Sequence, residues 1–214
     1  MINIKQYNVR ILGDVHGNIP TYLNLIKKAH YSIQLGDFGF GEDFRQKASK
    51  IDKSHHIVIL GNHDDYSNPI HTALGDFGPY SLGGLDFFYV RGAYSIDRAY
   101  RTLGVDWWTQ EELTWSQGQK CVEAYKRSKP ELVLTHDCPE EIISLMGWGY
   151  RSTITRQILQ ACLEAHRPKR WIFGHHHINW RREYKGTTFR CLDGDIYGHT
   201  IGFCDFDKLG NLIN

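Results

Sequence analysis

The chain has 214 residues, of which 41% are hydrophobic and 23% charged, and its formal net charge is +1. This length is typical of one domain with a sizeable core, so we expect a single domain over residues 1–214. The near-zero charge makes a long nucleic acid an unlikely partner. A basic cluster at Arg181, Arg182 and Lys185 is interpreted as a solvated face, with phosphate or nucleic-acid contact as the alternative. Neither a signal peptide nor a membrane span is predicted.

Cysteine usage indicates the redox environment. The five cysteines are widely spaced and never form a Cys-x-x-Cys pair. This pattern argues against a disulfide framework and against a zinc ribbon. It favours a reducing, cytoplasmic location.

The first part of the chain alternates apolar runs with helical patterns. Each apolar run is short enough for a strand and is followed by glycine. The predicted strands cover residues 9–12, 32–35 and 56–60, and the predicted helices cover about 20–30 and 42–54.

The segment 65–130 is rich in aromatic residues and glycine, with a predicted hairpin at Gly83-Gly84 and a helix over about 111–127. We interpret it as insertion-like and expect it to shape the substrate site. Its tryptophans Trp107, Trp108 and Trp115 are interpreted as local core, with stacking on a nucleobase as the alternative. Strands at 132–134 and 171–173 then flank a helix at 152–166, and short strands occupy 187–212.

Polar residues follow five of the predicted strands, at the point where each strand ends. Strands that alternate with helices pair in parallel, and their ligands gather beyond the carboxyl ends. The five sets should therefore meet in one place. The side chains at these breaks that can bind a metal are Asp14, His16, Asp37, Asn62, His136, His175 and His177.

This donor set predicts two metal ions. Seven mixed oxygen and nitrogen donors are too many for one zinc ion and too rich in nitrogen for calcium. With one bridging carboxylate they fit two cations about 3.5–4 Å apart. Residues i and i+2 of an extended segment share a face, so Asp14 should pair with His16, and His175 with His177. His176 should point elsewhere, either exposed or packed behind the ligands.

The same breaks resemble a known family. Gly-Asp-Val-His-Gly, Gly-Asp-Phe-Gly, Gly-Asn-His-Asp, Thr-His-Asp and Gly-His-His-His occur in the order typical of calcineurin-like metallophosphoesterases, over about residues 9–180. The pattern is similar to small single-domain bacterial and phage-type members. The resemblance implies a four-layer α/β/β/α sandwich with a dinuclear site. It assigns one metal to Asp14, His16, Asp37 and His177, and the other to Asp37, Asn62, His136 and His175.

The resemblance also implies roles for two neighbouring residues. Asp64 would hold its loop rather than a metal. His63 would donate a proton to the leaving alkoxide, worth roughly 10²–10⁴ in rate. The two cations would lower the pKa of a shared water, giving a metal-bridging hydroxide for in-line attack on phosphorus. The donor types favour manganese, iron, zinc or nickel over magnesium.

One departure concerns phosphate binding. Protein phosphatases of this superfamily continue their second motif as Gly-Asp-x-x-Asp-Arg-Gly, whereas Phe40 and Gly41 occupy the aspartate and arginine positions here. A protein phosphatase or a diadenosine tetraphosphatase of that type is therefore disfavoured. The phosphate clamp is left unassigned, with Arg91 and Arg98 as candidate substrate contacts and surface salt bridging as the alternative.

Three functions follow from these patterns. The first is a small-molecule or nucleotide phosphomonoesterase. The second is a phosphodiesterase or nuclease acting on cyclic nucleotides or short oligonucleotides. The third is a non-catalytic protein-binding scaffold, as in the retromer subunit of this fold. The filled metal positions and the presence of His63 speak against the third.

Overall fold

The computed structural model describes residues 7–147, 151–194, 200–207 and 209–213. Over these residues the chain forms ten strands, five α-helices and two single 3-10 turns. In chain order the strands and α-helices are β1 (Tyr7–Leu12), α1 (Ile19–Ile26), β2 (Ala29–Gln34), α2 (Glu42–Ala48), β3 (His56–Val58), β4 (Phe77–Leu82), β5 (Leu85–Val90), α3 (Trp115–Ser128), β6 (Leu132–Thr135), α4 (Glu140–Leu145), α5 (Ile154–Ala165), β7 (Arg170–Phe173), β8 (Trp180–Tyr184), β9 (Thr187–Cys191) and β10 (Phe203–Phe206). The 3-10 turns are Arg98–Tyr100 and Thr109–Glu111.

The strands form two mixed sheets. The first has the order β10-β1-β2-β3 and the second has the order β4-β5-β6-β7-β9-β8. Within the first sheet β1, β2 and β3 are parallel, and within the second β5, β6, β7 and β9 are parallel. Strands β10, β4 and β8 are antiparallel to their neighbours and lie at the edges.

Three apolar clusters lie between the four layers of the fold, which are two sheets with helices on their outer faces. One cluster lies between the sheets and includes Ile11, Ile33 and Leu134. A second packs α1 and α2 against the first sheet, and a third packs α3, α4 and α5 against the second sheet. Burying both faces of the second sheet explains why its central strands β6 and β7 are largely apolar. The predicted α/β/β/α sandwich is confirmed.

Strand β1 is held to β10 by a buried ion pair. The Arg10 Nε and Nη2 atoms each donate to a carboxylate oxygen of Asp205 at 2.7 Å. A third donor, Nη1, bonds the Leu25 carbonyl at the end of α1 at 2.8 Å. The bidentate pairing and the third hydrogen bond offset much of the cost of burying two charges.

Several element boundaries differ from the sequence predictions. Helix α3 begins at Trp115 rather than at 111, because Thr114 and Gln117 form a capping box. Helix α2 ends at Ala48, well before residue 54. Strand β8 was missed because its largely exposed edge position allows polar residues such as Arg181 and Glu183.

Candidate metal centre

The five loops that carry the donor residues lie together at one end of both sheets. They follow β1, β2 and β3 of the first sheet and β6 and β7 of the second. The His16 backbone N–H donates to the Asp37 carbonyl at 2.8 Å. The His175 N–H donates to both carboxylate oxygens of Asp14 at 3.1 Å, which joins the two sheets at the site.

The first group of donors is Asp14, His16, Asp37 and His177, whose candidate ligand atoms all lie within 4.8 Å of one another. The His177 Nε2 is 2.8 Å from Asp14 Oδ2 and 3.0 Å from His16 Nε2. His16 Nε2 is also 3.9 Å from Asp37 Oδ2. Two imidazole nitrogens and two carboxylates around one point form the mixed donor set that divalent transition metals bind.

The second group contains Asp37, His136 and His175, again within 4.8 Å. His136 Nε2 lies 3.3 Å from Asp37 Oδ1 and 3.0 Å from Asn62 Oδ1. Its Nδ1 is 2.7 Å from the Leu35 carbonyl oxygen, which can only accept, so Nδ1 carries a hydrogen. In the neutral ring Nε2 is then the free ligand atom. The two groups contain the aspartate and histidine residues that the family resemblance assigned to each metal. Asn62 lies beside the second group, next to His136.

Asp37 is the residue shared by both groups. Its Oδ1 accepts a hydrogen bond from the His63 backbone N–H at 2.7 Å. Its Oδ2 is buried and has no hydrogen-bond partner among the described residues. A buried carboxylate oxygen without a donor is costly, and a bound cation would satisfy it. The residues present therefore fit two divalent cations with Asp37 between them.

Two of the candidate imidazole ligands have a protonation state that suits metal binding, whereas a third holds a proton. Burial lowers the pKa of His16 and holds that of His175 well below the usual value, so both rings are neutral. Burial alone would lower the pKa of His136 as well, but the adjacent Asp37 carboxylate raises it to about 10. A cation at this point would have to displace that proton.

Four of the donors sit on turns rather than on extended backbone. His16, Asp37, His175 and His177 have φ angles of 45°, 52°, 66° and 48°. Such left-handed conformations cost about 1–3 kcal/mol each and cluster at functional sites. The extended backbone assumed for the pairs Asp14–His16 and His175–His177 is therefore wrong, and the turns place His175 and His177 in the two groups that share Asp37.

Asp64 holds the loops that present these donors. Its Oδ1 accepts from the backbone N–H groups of Phe38 at 2.9 Å and Gly39 at 3.0 Å. Its Oδ2 accepts from the Gly61 N–H at 2.7 Å. One carboxylate thus ties the loop after β2 to the loop after β3, the structural place expected from the sequence.

A buried relay behind Asn62 was not anticipated. The Asn62 Nδ2 donates to Ser95 Oγ at 3.0 Å, and Ser95 Oγ donates to Glu111 Oε2 at 2.6 Å. Since the amide nitrogen is engaged by Ser95, Oδ1 is the atom that faces His136. Ser95 and Glu111 come from the segment 65–130, and no local motif marks them in the sequence.

A cavity of about 1010 Å³ opens over both groups. His63 lines it and belongs to neither group of candidate ligands. Its imidazole lies 5.9 Å from that of His16, between ring centroids, and its Nε2 is 3.3 Å from Arg101 Nη2. Two further arginines, Arg151 and Arg156, also line the cavity.

The two arginines proposed from the sequence as substrate contacts do not line this cavity. Arg91 is 6% exposed and donates from Nε to Asp76 at 2.7 Å and from Nη1 to the Gln110 carbonyl at 2.6 Å. Arg98 rests over the Tyr94 ring at 4.3 Å. The prediction that Arg91 and Arg98 contact phosphate is therefore wrong. Arg91 instead forms a salt bridge with Asp76 that stabilises the fold.

Two other predictions concern neighbouring side chains. His176 is 7% exposed, with its Nε2 3.0 Å from Asp137 Oδ1, so it packs behind His175 rather than facing solvent. Trp108 is buried against Phe40, as expected for local core. Trp115 is 55% exposed, and none of the three tryptophans lines the cavity.

The fold recurs in solved structures. A dimetal phosphatase from Danio rerio is 13% identical, with a TM-score of 0.55 and coverage of 94% of each chain. A candidate 5'-nucleotidase from Staphylococcus aureus, solved with alpha-ketoglutarate, is 15% identical with a TM-score of 0.56. That match covers 95% of this chain and 52% of the other, so the chain spans about half of that protein. At these identities the likeness shows the shared fold.

Sequence comparison identifies the family. A search of curated proteins finds no match. No helix in the described part of the chain has the length and apolar character needed to span a membrane. The sequence profile of the calcineurin-like phosphoesterases matches residues 7–179, most of the chain. The chain therefore belongs to the calcineurin-like phosphoesterase family.

Proposed function

We propose that the protein is a phosphomonoesterase for small molecules or nucleotides that works with two divalent cations. The observation that carries this proposal is one cavity that joins both donor groups to His63 and to arginine side chains. A monoester dianion carries its charge on terminal oxygens, which suits a site with cations on one side and guanidinium groups on the other.

The ligands of each cation are proposed from the two donor groups. Asp14, His16, Asp37 and His177 would hold one, and Asp37, Asn62, His136 and His175 would hold the other. When bound, the cations supply positive charge for the phosphoryl oxygens and acidity for the attacking water. Manganese, iron, zinc and nickel all suit this mixture of imidazole, carboxylate and amide.

His63 is proposed as the general acid. Its side chain lines the cavity, and its backbone N–H donates to Asp37 Oδ1 at 2.7 Å, which fixes the residue beside the shared carboxylate. From this position a protonated imidazole donates to the leaving oxygen as the ester bond breaks. Proton donation matters most for a poor leaving group, such as an alkyl alcohol.

The organic part of the substrate is proposed to lie against an apolar wall. Phe40, Ile96 and Ile143 line the same cavity as the donor groups. Ile96, like Asp97 and Arg101, comes from the segment 65–130, which supports the expectation that this segment shapes the substrate site. A volume of about 1010 Å³ accommodates a nucleoside-sized group beside the phosphate.

The five cysteines support a cytoplasmic location for this reaction. All five are buried with free thiols. Free thiols persist in a reducing compartment.

The deciding experiment compares a matched aryl phosphate monoester and diester with the manganese-loaded protein. The proposal expects a higher kcat/KM for the monoester. A clear preference for the diester would replace the proposal with a phosphodiesterase acting on cyclic nucleotides or short oligonucleotides. Hydrolysis of neither ester, with manganese, zinc, iron or nickel, would refute both.

A further inference from the structure

Arg101 is the cavity arginine closest to the proposed general acid. It follows the 3-10 turn Arg98–Tyr100 in the segment 65–130. Its Nη2 lies 3.3 Å from His63 Nε2, and both side chains line the cavity above the two donor groups. One phosphoryl oxygen placed to the side of this pair would be within hydrogen-bonding reach of both nitrogens.

The guanidinium of Arg101 is held in a fixed plane. Its Nε and Nη2 donate to the two carboxylate oxygens of Asp97, each at 2.7 Å. Its Nη1 donates to the Asp106 carbonyl at 3.2 Å. Because the fork is already oriented, little conformational entropy remains to be lost when an anion binds.

These contacts leave donors for a ligand. Of the five guanidinium hydrogens, two bond Asp97 and one bonds Asp106. A fourth, on Nη2, is directed toward His63, and the fifth, on Nη1, has no partner among the described residues. The free N–H group on Nη1 can donate to a phosphate oxygen, and the Nη2 group becomes available as well when His63 is protonated and no longer accepts from it.

The charges around Arg101 allow an anion to approach. The Asp97 side chain is 46% exposed, so solvent screens much of its charge, whereas Arg101 is 20% exposed. The other two cavity arginines are placed differently, and Arg151 lies over the Tyr94 ring, 4.7 Å from its centroid. Arg156 is bound through Nε to Asp137 at 2.8 Å, on the wall that also carries His176.

We propose that Arg101, oriented by Asp97, binds the phosphoryl group of the substrate beside His63. This inference rests on the proposed function and assigns the phosphate contact that Phe40 and Gly41 do not supply. Arg101 is the residue that touches the substrate, and Asp97 is a positioning residue that acts through it.

The test measures the binding of inorganic phosphate to the manganese-loaded protein by titration calorimetry. Arg101→Ala should weaken the binding by at least about tenfold, since hydrogen bonds to charged groups contribute more than neutral ones. Arg98→Ala is the matched control, because Arg98 lies three residues earlier, packs on Tyr94 and does not line the cavity. It should change phosphate affinity by less than about twofold.

Two further variants separate orientation from charge. Asp97→Asn keeps the Arg101 charge but loosens the fork, and should weaken phosphate binding about threefold to tenfold with unchanged manganese content. Asp97→Glu should recover part of that loss, which a merely structural role would not predict. In esterase assays Arg101→Ala should raise KM more for the monoester than for the diester.

The outcomes separate this inference from the proposed function. Wild-type affinity for phosphate in a folded, manganese-loaded Arg101→Ala protein would overturn the role of Arg101, whatever the activity. An inactive wild type that still loses phosphate affinity through Arg101→Ala would refute the esterase proposal and keep the anion site. If Arg101→Ala fails to fold, Arg101→Lys and Asp97→Asn decide, and wild-type affinity in both would overturn the inference.

Discussion

At the residue scale, two hydrogen bonds fix the orientation of the Asn62 side-chain amide. An amide has an oxygen that can bind a cation and a nitrogen that cannot, so its rotation matters. Ser95 Oγ accepts a hydrogen bond from Asn62 Nδ2 and donates one to Glu111 Oε2. This relay keeps the Asn62 oxygen toward His136 and the second donor group.

Removing the relay should weaken metal binding. Ser95→Ala should raise the dissociation constant for manganese at the weaker site by about 10–100-fold, because residues that orient a ligand typically have effects of this size. Titration of the metal-free protein with manganese measures it. Ser144→Ala is the control, since the exposed Ser144 hydroxyl donates to the Glu140 carbonyl within helix α4. Equal affinities in wild type and Ser95→Ala would show that the relay does not orient Asn62.

His63 should matter according to the leaving group. His63→Ala should lower kcat on an alkyl phosphate by roughly 10²–10⁴ and have a much smaller effect on a nitrophenyl ester, whose leaving group needs no proton. His55→Ala is a matched control, because His55 is 47% exposed and pairs with Asp52. A uniform loss on both esters would point to substrate placement instead of proton donation.

At the element scale, glycines let the strand-end loops close around the donors. A Cβ on Gly61 would lie 2.3 Å from Asp37 Oδ1 and 2.7 Å from His136 Cε1. No side chain fits there without moving the shared carboxylate. The loop after β3 therefore needs glycine for space rather than for an unusual φ angle.

Gly61→Ala should accordingly abolish the binding of at least one metal and lower kcat/KM by about 10²-fold or more. Metal analysis and ester hydrolysis measure both effects. Gly75→Ala is the control, because its Cβ would meet only the Tyr89 hydroxyl, at 3.6 Å. Retention of two metals by Gly61→Ala would mean that the loop relaxes without displacing Asp37.

The same loops show which parts of the site can be predicted from the sequence. Strand ends followed by Asp14, Asp37, Asn62, His136 and His175 are local patterns, and the rules for parallel strands bring them together. The left-handed backbone at His175 and His177 has no such local signal, because non-glycine residues adopt it in only a few per cent of cases. Ser95, Glu111 and Arg101 depend on how a long segment folds back over the site, which apolar periodicity does not encode.

At the scale of the whole molecule, the site joins the two sheets. Asp14 and Asp37 follow strands of the first sheet, whereas His136, His175 and His177 follow strands of the second. Cations shared by these groups would therefore link both halves of the sandwich. Two buried carboxylates also lose their countercharge when cations are removed.

Chelation should lower the stability of the protein. At metal concentrations a thousandfold above the dissociation constant, one binding event adds about 4 kcal/mol to the free energy of unfolding. We expect EDTA to lower Tm by roughly 10 °C, because about 2–4 °C per kcal/mol applies to a domain of this size. Thermal unfolding followed by circular dichroism measures the shift. A Tm that EDTA leaves unchanged would mean that the cations do not link the sheets.

The central claim is that five strand ends build one centre for two cations around Asp37. Its most direct test is the metal content of dialysed protein, measured by mass spectrometry for wild type, Asp37→Asn and the exposed control Asp43→Asn. The structure predicts two manganese ions per chain in wild type and in Asp43→Asn, and at most one in Asp37→Asn, with ester hydrolysis reduced by about 10³-fold. Two ions per chain and wild-type rates in Asp37→Asn would contradict the account.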